Sequence, residues 1–148
     1  MRVIAGTRRS MPLKAPVGMD TRPTQDRTKE TLFNVLQNEI PGAEFLDLFA
    51  GSGAISIEAL SRGASYATLV ENNKNAVSCI KDNLKFTKFS DEATLMETDV
   101  MAALYKLGGH KEFDIVFMDP PYNLEIEAQV LKTMNNMASV TEYTTVII

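Results

Sequence analysis

The most unusual feature of this sequence is an apolar segment that ends in an acid, two prolines and an aromatic residue. The stretch FDIVFMDPPYN, residues 113–123, reads as a buried strand followed by Asp119, Pro120, Pro121 and Tyr122. The prolines fix φ at about −65° and lack N–H donors, so the loop is stiff and rich in acceptors. The Asp119 carboxylate and the Pro120 carbonyl can both accept hydrogen bonds from one NH₂ group, and Tyr122 can stack on a flat base.

Such an acceptor pocket suits methylation of an exocyclic amine. The lone pair of that amine is delocalised into the ring, and two acceptors holding its hydrogens can turn the lone pair toward an electrophilic methyl group. Negative charge beside the amine also stabilises the positive charge that develops on nitrogen during attack. The alternative is a polar turn that happens to contain two prolines. It is disfavoured because unusual residues also follow other predicted strands.

A glycine pair follows the first of these strands. In FLDLFAGSGAIS, residues 45–56, Gly51 and Gly53 lie between a strand and a helix. Glycine there lets the backbone approach a ligand at the helix N-terminus. Glu71 ends the next strand, where a carboxylate can accept both ribose hydroxyls of a nucleoside. The pattern therefore predicts a nucleoside-containing cofactor.

Two details distinguish between the possible cofactors. Ser56 occupies the third position of the glycine fingerprint, and Asp47 lies just before the turn. A carboxylate there would repel a pyrophosphate and attract an ammonium, which disfavours a nicotinamide-dependent oxidoreductase. S-adenosylmethionine has an ammonium, a ribose and no phosphate, and it is the predicted cofactor. Asp47 could instead be a capping or turn residue.

Asp99 follows the third predicted strand and is placed to accept the adenine amino group. It could also be a plain helix N-cap, and both roles could hold together. Asn72 or Asn73 is the predicted N-cap of the preceding helix.

Strands and helices alternate along the chain. The five main strands are predicted at residues 44–49, 66–71, 93–98, 113–118 and 143–148, an additional short strand at 3–6, and the first helix at about residues 28–40. Alternation of this kind predicts a Rossmann-like α/β fold, a mostly parallel sheet with helices on both faces. Ligands bind such sheets at the carboxyl ends of the strands. The unusual residues described above lie at four such ends, at 47–53, 71–72, 99 and 119–122.

Composition and charge narrow the class of protein. The 148 residues suggest one domain, and a single cysteine and a single histidine argue against disulfides and against a zinc site. No apolar run approaches the ~20 residues of a membrane span, and a cytoplasmic location is expected. The net charge is −4 overall. Residues 1–30 carry seven basic and three acidic side chains, so the remainder carries −8.

This asymmetry predicts a basic amino-terminal arm, residues 1–27, on a catalytic domain of residues 28–148. The arm could be a phosphate-binding patch or a solvated, partly flexible segment. The candidate residues of such a patch are Arg8, Arg9, Lys14, Arg22, Thr24 and Arg27.

The motifs DLFAGSG and DPPY together resemble those of class I S-adenosylmethionine-dependent amino-methyltransferases. TRPTQDRTKETLFNVL at 21–36 and the opening MRVIAGTRRS narrow the resemblance to the RsmD-like family, bacterial 16S ribosomal RNA guanine-N2 methyltransferases. The resemblance runs from Met1 to Ile148.

The resemblance implies which residues hold each part of the two substrates. Asp47, Gly51 and Gly53 would hold the methionine part, Glu71 the ribose and Asp99 the adenine. Residues 119–122 would hold the target guanine. We also predict cofactor contacts for Phe49, Asn72 and Val100. The resemblance also implies that the basic amino-terminal residues approach RNA, which makes them the candidate RNA-binding residues. The implied partner is ribosomal RNA or a small-subunit particle, and no metal is expected.

Three alternatives stay open on sequence. One is the same chemistry on DNA adenine, and another is a nucleic-acid-binding module that keeps a cofactor pocket but lacks activity. The oxidoreductase is the third. Family members usually continue into a closing hairpin after the fifth strand, so we expect this chain to lack the final strands.

Overall fold

The computed structural model describes residues 1–16, 23–108, 112–120, 124–135, 137 and 145–147. None of its helices is both long and apolar enough to cross a membrane, within those residues. The elements, in chain order, are α1 (Pro23–Leu36), β1 (Glu44–Asp47), α2 (Ala54–Ser61), β2 (Tyr66–Val70), α3 (Lys74–Phe86), β3 (Ala93–Met96), α4 (Val100–Leu107), β4 (Ile115–Phe117), α5 (Leu124–Met134) and β5 (Thr145–Ile147). A short 3₁₀ turn, Ser90–Glu92, precedes β3.

The five strands form one parallel sheet in the order β3-β2-β1-β4-β5. Asp47, the last residue of β1, pairs with Leu69 of β2 on one side and Phe117 of β4 on the other. The carboxyl ends of these strands are therefore level, and the residues after them meet at one edge. The predicted α/β fold with a mostly parallel sheet is confirmed.

Two apolar cores cover the two faces of this sheet. On one face, the amino-terminal segment and α1, α2 and α3 bury Phe33, Ile57 and Ile80. On the other, α4 and α5 bury Leu104 and Val130 against the sheet. Burial of both faces explains why the strands read as continuous apolar runs. Met134 and Cys79 are both buried as well.

Several predicted boundaries need correction. The first helix begins at Pro23, not near Thr28, because proline is well suited to the first helical position. It ends at Leu36, ahead of a turn. The central strands are shorter than their apolar runs. The predicted strand at 3–6 is wrong, since only an isolated antiparallel bridge joins Arg2 to Pro12.

Residues 1–16, here called the amino-terminal hairpin, fold back on themselves and pack on α2 and α3. Val3 and Leu13 are buried, and the main chain of Val3 exchanges hydrogen bonds with Met11 and Ser10. Gly6 lies so close to α2 that a Cβ would stand 1.9 Å from the Ser61 carbonyl oxygen. The segment is a packed part of the domain and not a solvated arm.

Candidate active site

Three carboxylates converge at the carboxyl edge of the sheet. Glu71 follows β2, Asp47 ends β1 and Asp119 follows β4, and these strands are neighbours in the order β2-β1-β4. The negative charges of Glu71 and Asp119 both raise the pKa of Asp47. The sequence separates these residues widely, and the parallel register brings them together.

Asp47 is the most deeply buried of the three. Its Oδ2 accepts a hydrogen bond from the Ser56 hydroxyl at 2.9 Å, while its Oδ1 has no hydrogen-bond partner among the described residues. Burial raises the pKa of Asp47 to about 7, and Ser56 and the nearby Phe49 amide oppose that rise. An acceptor buried without a partner is costly, so the orphaned oxygen marks a place that favours a hydrogen-bond donor or a cation.

The glycine turn is tied directly to Glu71. Gly51 has φ of 58° and Gly53 has φ of 81°, a conformation that glycine adopts without strain. The Gly51 amide donates to Glu71 Oε1 at 2.8 Å, and the Asn73 amide donates to Oε2 at 3.1 Å. These bonds fix the carboxylate beside the turn. Each oxygen keeps a second lone pair that could accept from a ligand hydroxyl.

The remaining predicted cofactor residues lie at the same edge. Asn73, not the exposed Asn72, caps α3, with its Oδ1 accepting from the amides of Asn75 and Ala76. Asp99 caps α4 by accepting from the Ala102 amide at 2.9 Å, so its capping role is confirmed.

Phe49 and Val100 are half-buried against the core under α4 and α5. Their contact with a cofactor, and that of Asp99 with adenine, stay predictions.

The loop that follows β4 and contains the prolines, here called the proline loop, begins at a fixed strand end, and its Asp119 carboxylate is exposed. Met118 is fully buried, and its amide donates to the Ile147 carbonyl of β5 at 2.8 Å. Asp119 is exposed and Pro120 half-buried. The carboxylate is thus held by a rigid strand end and stays accessible. The predicted residues Pro121 and Tyr122 lie outside the described part of the chain.

The six candidate RNA-binding residues do not form one patch. Arg8 and Arg9 lie at the tip of the amino-terminal hairpin, beside the C-terminal ends of α2 and α3 and hence at the amino edge of the sheet. Lys14 pairs with Asp82 of α3 at 3.3 Å.

Arg27 is exposed in the first half of α1. Because α1 leads into the amino end of β1, that half lies toward the carboxyl edge. Arg22 and the side chain of Thr24 lie outside the description.

The structural roles of two buried polar residues, Ser56 and Glu58, were not predicted from the sequence. Ser56 served only to argue against a dinucleotide, yet its hydroxyl holds Asp47. Glu58 is fully buried in α2 and binds Lys29, Arg62 and two hairpin amides. An acid within the apolar helix AISIEALS was the available signal. Among the described residues, no cluster of histidine, cysteine or acidic side chains could hold a metal ion.

Comparison with known proteins gives consistent matches along the chain. The family described as conserved hypothetical protein 95 matches residues 1–148. YlbH of Bacillus subtilis is 41% identical over 123 residues, which is 82% of this chain and 67% of YlbH. Ribosomal RNA small subunit methyltransferase D of Haemophilus influenzae is 38% identical over 135 residues, 90% of this chain and 70% of that protein.

Solved structures agree with these relatives. The structure of yhhF from Escherichia coli superposes with a TM-score of 0.85 at 35% identity, covering 96% of this chain and 77% of yhhF. The SAM-dependent methyltransferase from Agrobacterium tumefaciens gives 0.57 at 25% identity, covering 68% and 33%. On these matches, the chain belongs to the conserved hypothetical protein 95 family, the RsmD and YlbH group of ribosomal RNA methyltransferases.

Proposed function

We propose that this protein transfers a methyl group from S-adenosylmethionine to the exocyclic N2 amine of a guanine in small-subunit ribosomal RNA. The observation that carries the proposal is the convergence of Asp47, Glu71 and Asp119 at three neighbouring strand ends. The name of the Haemophilus influenzae relative supports the RNA substrate, and that of the Agrobacterium tumefaciens structure supports the cofactor.

The residues at the carboxyl edge fit this cofactor. A negatively charged cup suits a ligand that carries an ammonium and a sulfonium, and it disfavours a pyrophosphate. In this assignment Asp47 and the turn at Gly51 and Gly53 face the methionine part, and Glu71 accepts from the ribose hydroxyls. Asp99 takes the adenine amine with the carboxylate oxygen that does not cap α4. Bound there, S-adenosylmethionine supplies an electrophilic methyl group.

The chain's own residues would prepare the amine for attack. The Asp119 carboxylate and the Pro120 carbonyl accept hydrogen bonds from the two N–H groups of the guanine amine. These hydrogen bonds direct the lone pair of the amine away from the ring plane. The Asp119 charge stabilises the positive charge that develops on nitrogen, because a fixed carboxylate needs no reorganisation. Asp119 is exposed, so the proton released after transfer can pass to solvent.

Two alternatives make different predictions. DNA adenine carries a similar exocyclic amine, and a module without activity would bind the cofactor without turnover. We favour RNA because the small-subunit ribosomal RNA methyltransferase of Haemophilus influenzae aligns with 90% of this chain.

The test incubates the protein and labelled S-adenosylmethionine with small-subunit ribosomal RNA, with small-subunit particles and with adenine-containing DNA. Label at guanine N2 in either RNA sample supports the proposal. Transfer to DNA alone, or cofactor binding with no transfer to any substrate, contradicts it.

A further inference from the structure

A lysine stands where helices usually place glycine. At the end of α3, the Lys88 amide donates to the Lys85 carbonyl at 3.1 Å and the Phe89 amide donates to the Leu84 carbonyl at 2.9 Å. This pair of bonds is the Schellman motif, whose left-handed residue is most often glycine. Here that residue is Lys88, with φ of 61° and an exposed side chain. Backbone geometry alone favours glycine at this position, so the lysine side chain calls for another explanation.

The tip of the amino-terminal hairpin packs against this turn. Arg8 Nε donates to the Thr87 carbonyl at 2.7 Å, and its guanidinium lies 4.3 Å from the centre of the Phe89 ring. Thr87 and Phe89 are both buried, so the turn is a fixed platform. The contact brings the hairpin tip, which carries the exposed Arg9, to the turn that carries Lys88, although the two segments are far apart in sequence.

Three exposed cations, Arg9, Lys85 and Lys88, therefore share one surface with the half-buried Arg8. We call this set the amino-edge surface. Asp91 and Glu92 of the 3₁₀ turn follow Phe89 closely in sequence and are exposed. No salt bridge ties any of these four cations to an acid in the described part of the chain. By contrast, Lys81 on the same helix pairs with Glu97 at 3.3 Å.

The amino-edge surface lies far from the candidate active site. The helix α3 starts just after Glu71 and ends at Phe86, and its 13 residues span about 20 Å at 1.5 Å per residue. A ligand that contacts Lys88 and reaches the proline loop must extend over a comparable distance.

We propose that Arg9, Lys85 and Lys88 bind the phosphate backbone of the same RNA whose base is methylated at the opposite edge. The substrate is then an extended or folded RNA at least about 20 Å across, and not a short single strand. This inference rests on the proposed function for the identity of the nucleic acid. Exposed cations that have no acid partner in the described part of the chain fit phosphates, which carry most of the affinity of proteins for nucleic acids.

The sharpest test is Lys88→Gly, because it separates folding from binding. Glycine keeps both Schellman bonds and removes the strain of a side chain at φ of 61°, so Tm should equal or exceed that of the wild type. Affinity for a small-subunit ribosomal RNA transcript should fall. One lost phosphate contact lowers the salt slope by roughly 0.7–0.9, which is a five- to eightfold loss at about 0.1 M salt that vanishes near 1 M.

Two matched variants complete the test. Lys88→Arg keeps the charge and should bind the transcript like the wild type. Lys81→Gln removes a lysine from the same helix that already pairs with Glu97, and it should leave the salt slope unchanged. Affinity for S-adenosylmethionine should be unaffected in all three variants, because the turn is remote from the carboxyl edge.

The possible results separate this inference from the proposed function. A wild-type salt slope in Lys88→Gly, or equal losses in Lys88→Gly and Lys81→Gln, overturns the amino-edge surface. If Lys88→Gly lowers the slope but the wild type transfers no methyl group to the transcript, the surface stands and the proposed function fails.

Discussion

Two fully or almost fully buried carboxylates, Glu58 and Asp47, differ in how their oxygens are satisfied. Glu58 Oε1 accepts from the Ile4 amide at 2.9 Å and lies 3.5 Å from Lys29 Nζ. Its Oε2 accepts from the Ala5 amide at 3.1 Å and from Arg62 Nε at 2.8 Å. Asp47 accepts from the Ser56 hydroxyl and has the Phe49 amide nearby, its Oδ1 has no hydrogen-bond partner among the described residues, and two acids lie close to it.

The two carboxylates also differ in the charged groups that surround them. Around Glu58, two cations and two amides neutralise the charge, and the cluster joins the amino-terminal hairpin, α1 and α2. Burial lowers the pKa of Lys29, and Glu58 opposes that effect. Around Asp47 the described residues supply no cation that stabilises its charge, so a cationic ligand would suit the site. The first arrangement stabilises the fold, and we propose that the second serves binding at a cost in stability.

Glu58→Ala should have the largest effect and should confine it to folding. It leaves Lys29 buried without its acid and two hairpin amides without acceptors, so we expect a loss of about 3–5 kcal/mol in the free energy of unfolding. Urea denaturation measures this loss, with Glu112→Ala, an exposed acid, as the control. If Glu58→Ala were as stable as the wild type, Glu58 would not have the stabilising role assigned to it here.

Asp119→Ala should have the next largest effect, and on turnover alone. Asp119 is exposed and is assigned to the target amine, so its loss should leave Tm unchanged and lower the rate by about 10²–10³. Cofactor affinity, measured by calorimetry, should stay within a few-fold of the wild type. Asp114→Ala, at the amino end of β4, is the control. Wild-type turnover in Asp119→Ala would rule out the acceptor-pocket mechanism.

The raised pKa of Asp47 predicts opposite pH dependences for folding and for cofactor binding. Its contribution to stability is fully present below the unfolded pKa near 3.8 and is lost as pH rises through about 7. The slope is at most about 1.4 kcal/mol per pH unit. A cationic ligand favours the ionised form, so affinity for S-adenosylmethionine should rise with pH over the same window.

Unfolding and calorimetry between pH 5 and 8, on the wild type and on Asp47→Asn, check this prediction. Both dependences should flatten in the variant. If the affinity of the wild type falls as pH rises, Asp47 does not interact with the cation as proposed.

The sequence was informative where the pattern is local and less so where contacts are distant. Alternating apolar segments and turns predicted the parallel sheet, and the parallel register brings the residues after the strands together at one edge as the candidate site. The docking of the hairpin was not predictable, because it depends on Glu58 meeting main-chain amides more than fifty positions away. For the same reason, charge counting left Arg8 in either a phosphate-binding patch or a solvated arm and did not predict its packing on Phe89.

The smallest predicted effect compares the two neighbouring arginines at the hairpin tip. Arg8→Ala removes a hydrogen bond to the Thr87 carbonyl and a cation–π contact with Phe89, so it should cost about 1–2 kcal/mol of stability. Arg9→Ala removes an exposed side chain and should stay within about 0.5 kcal/mol of the wild type. Arg9→Ala should nevertheless lower the salt slope of RNA binding, as Lys88→Gly does. Thermal unfolding and salt titrations on the two single variants separate a residue that holds the hairpin from one that faces the RNA. Equal stability losses in both variants would mean that the tip is not organised around Arg8.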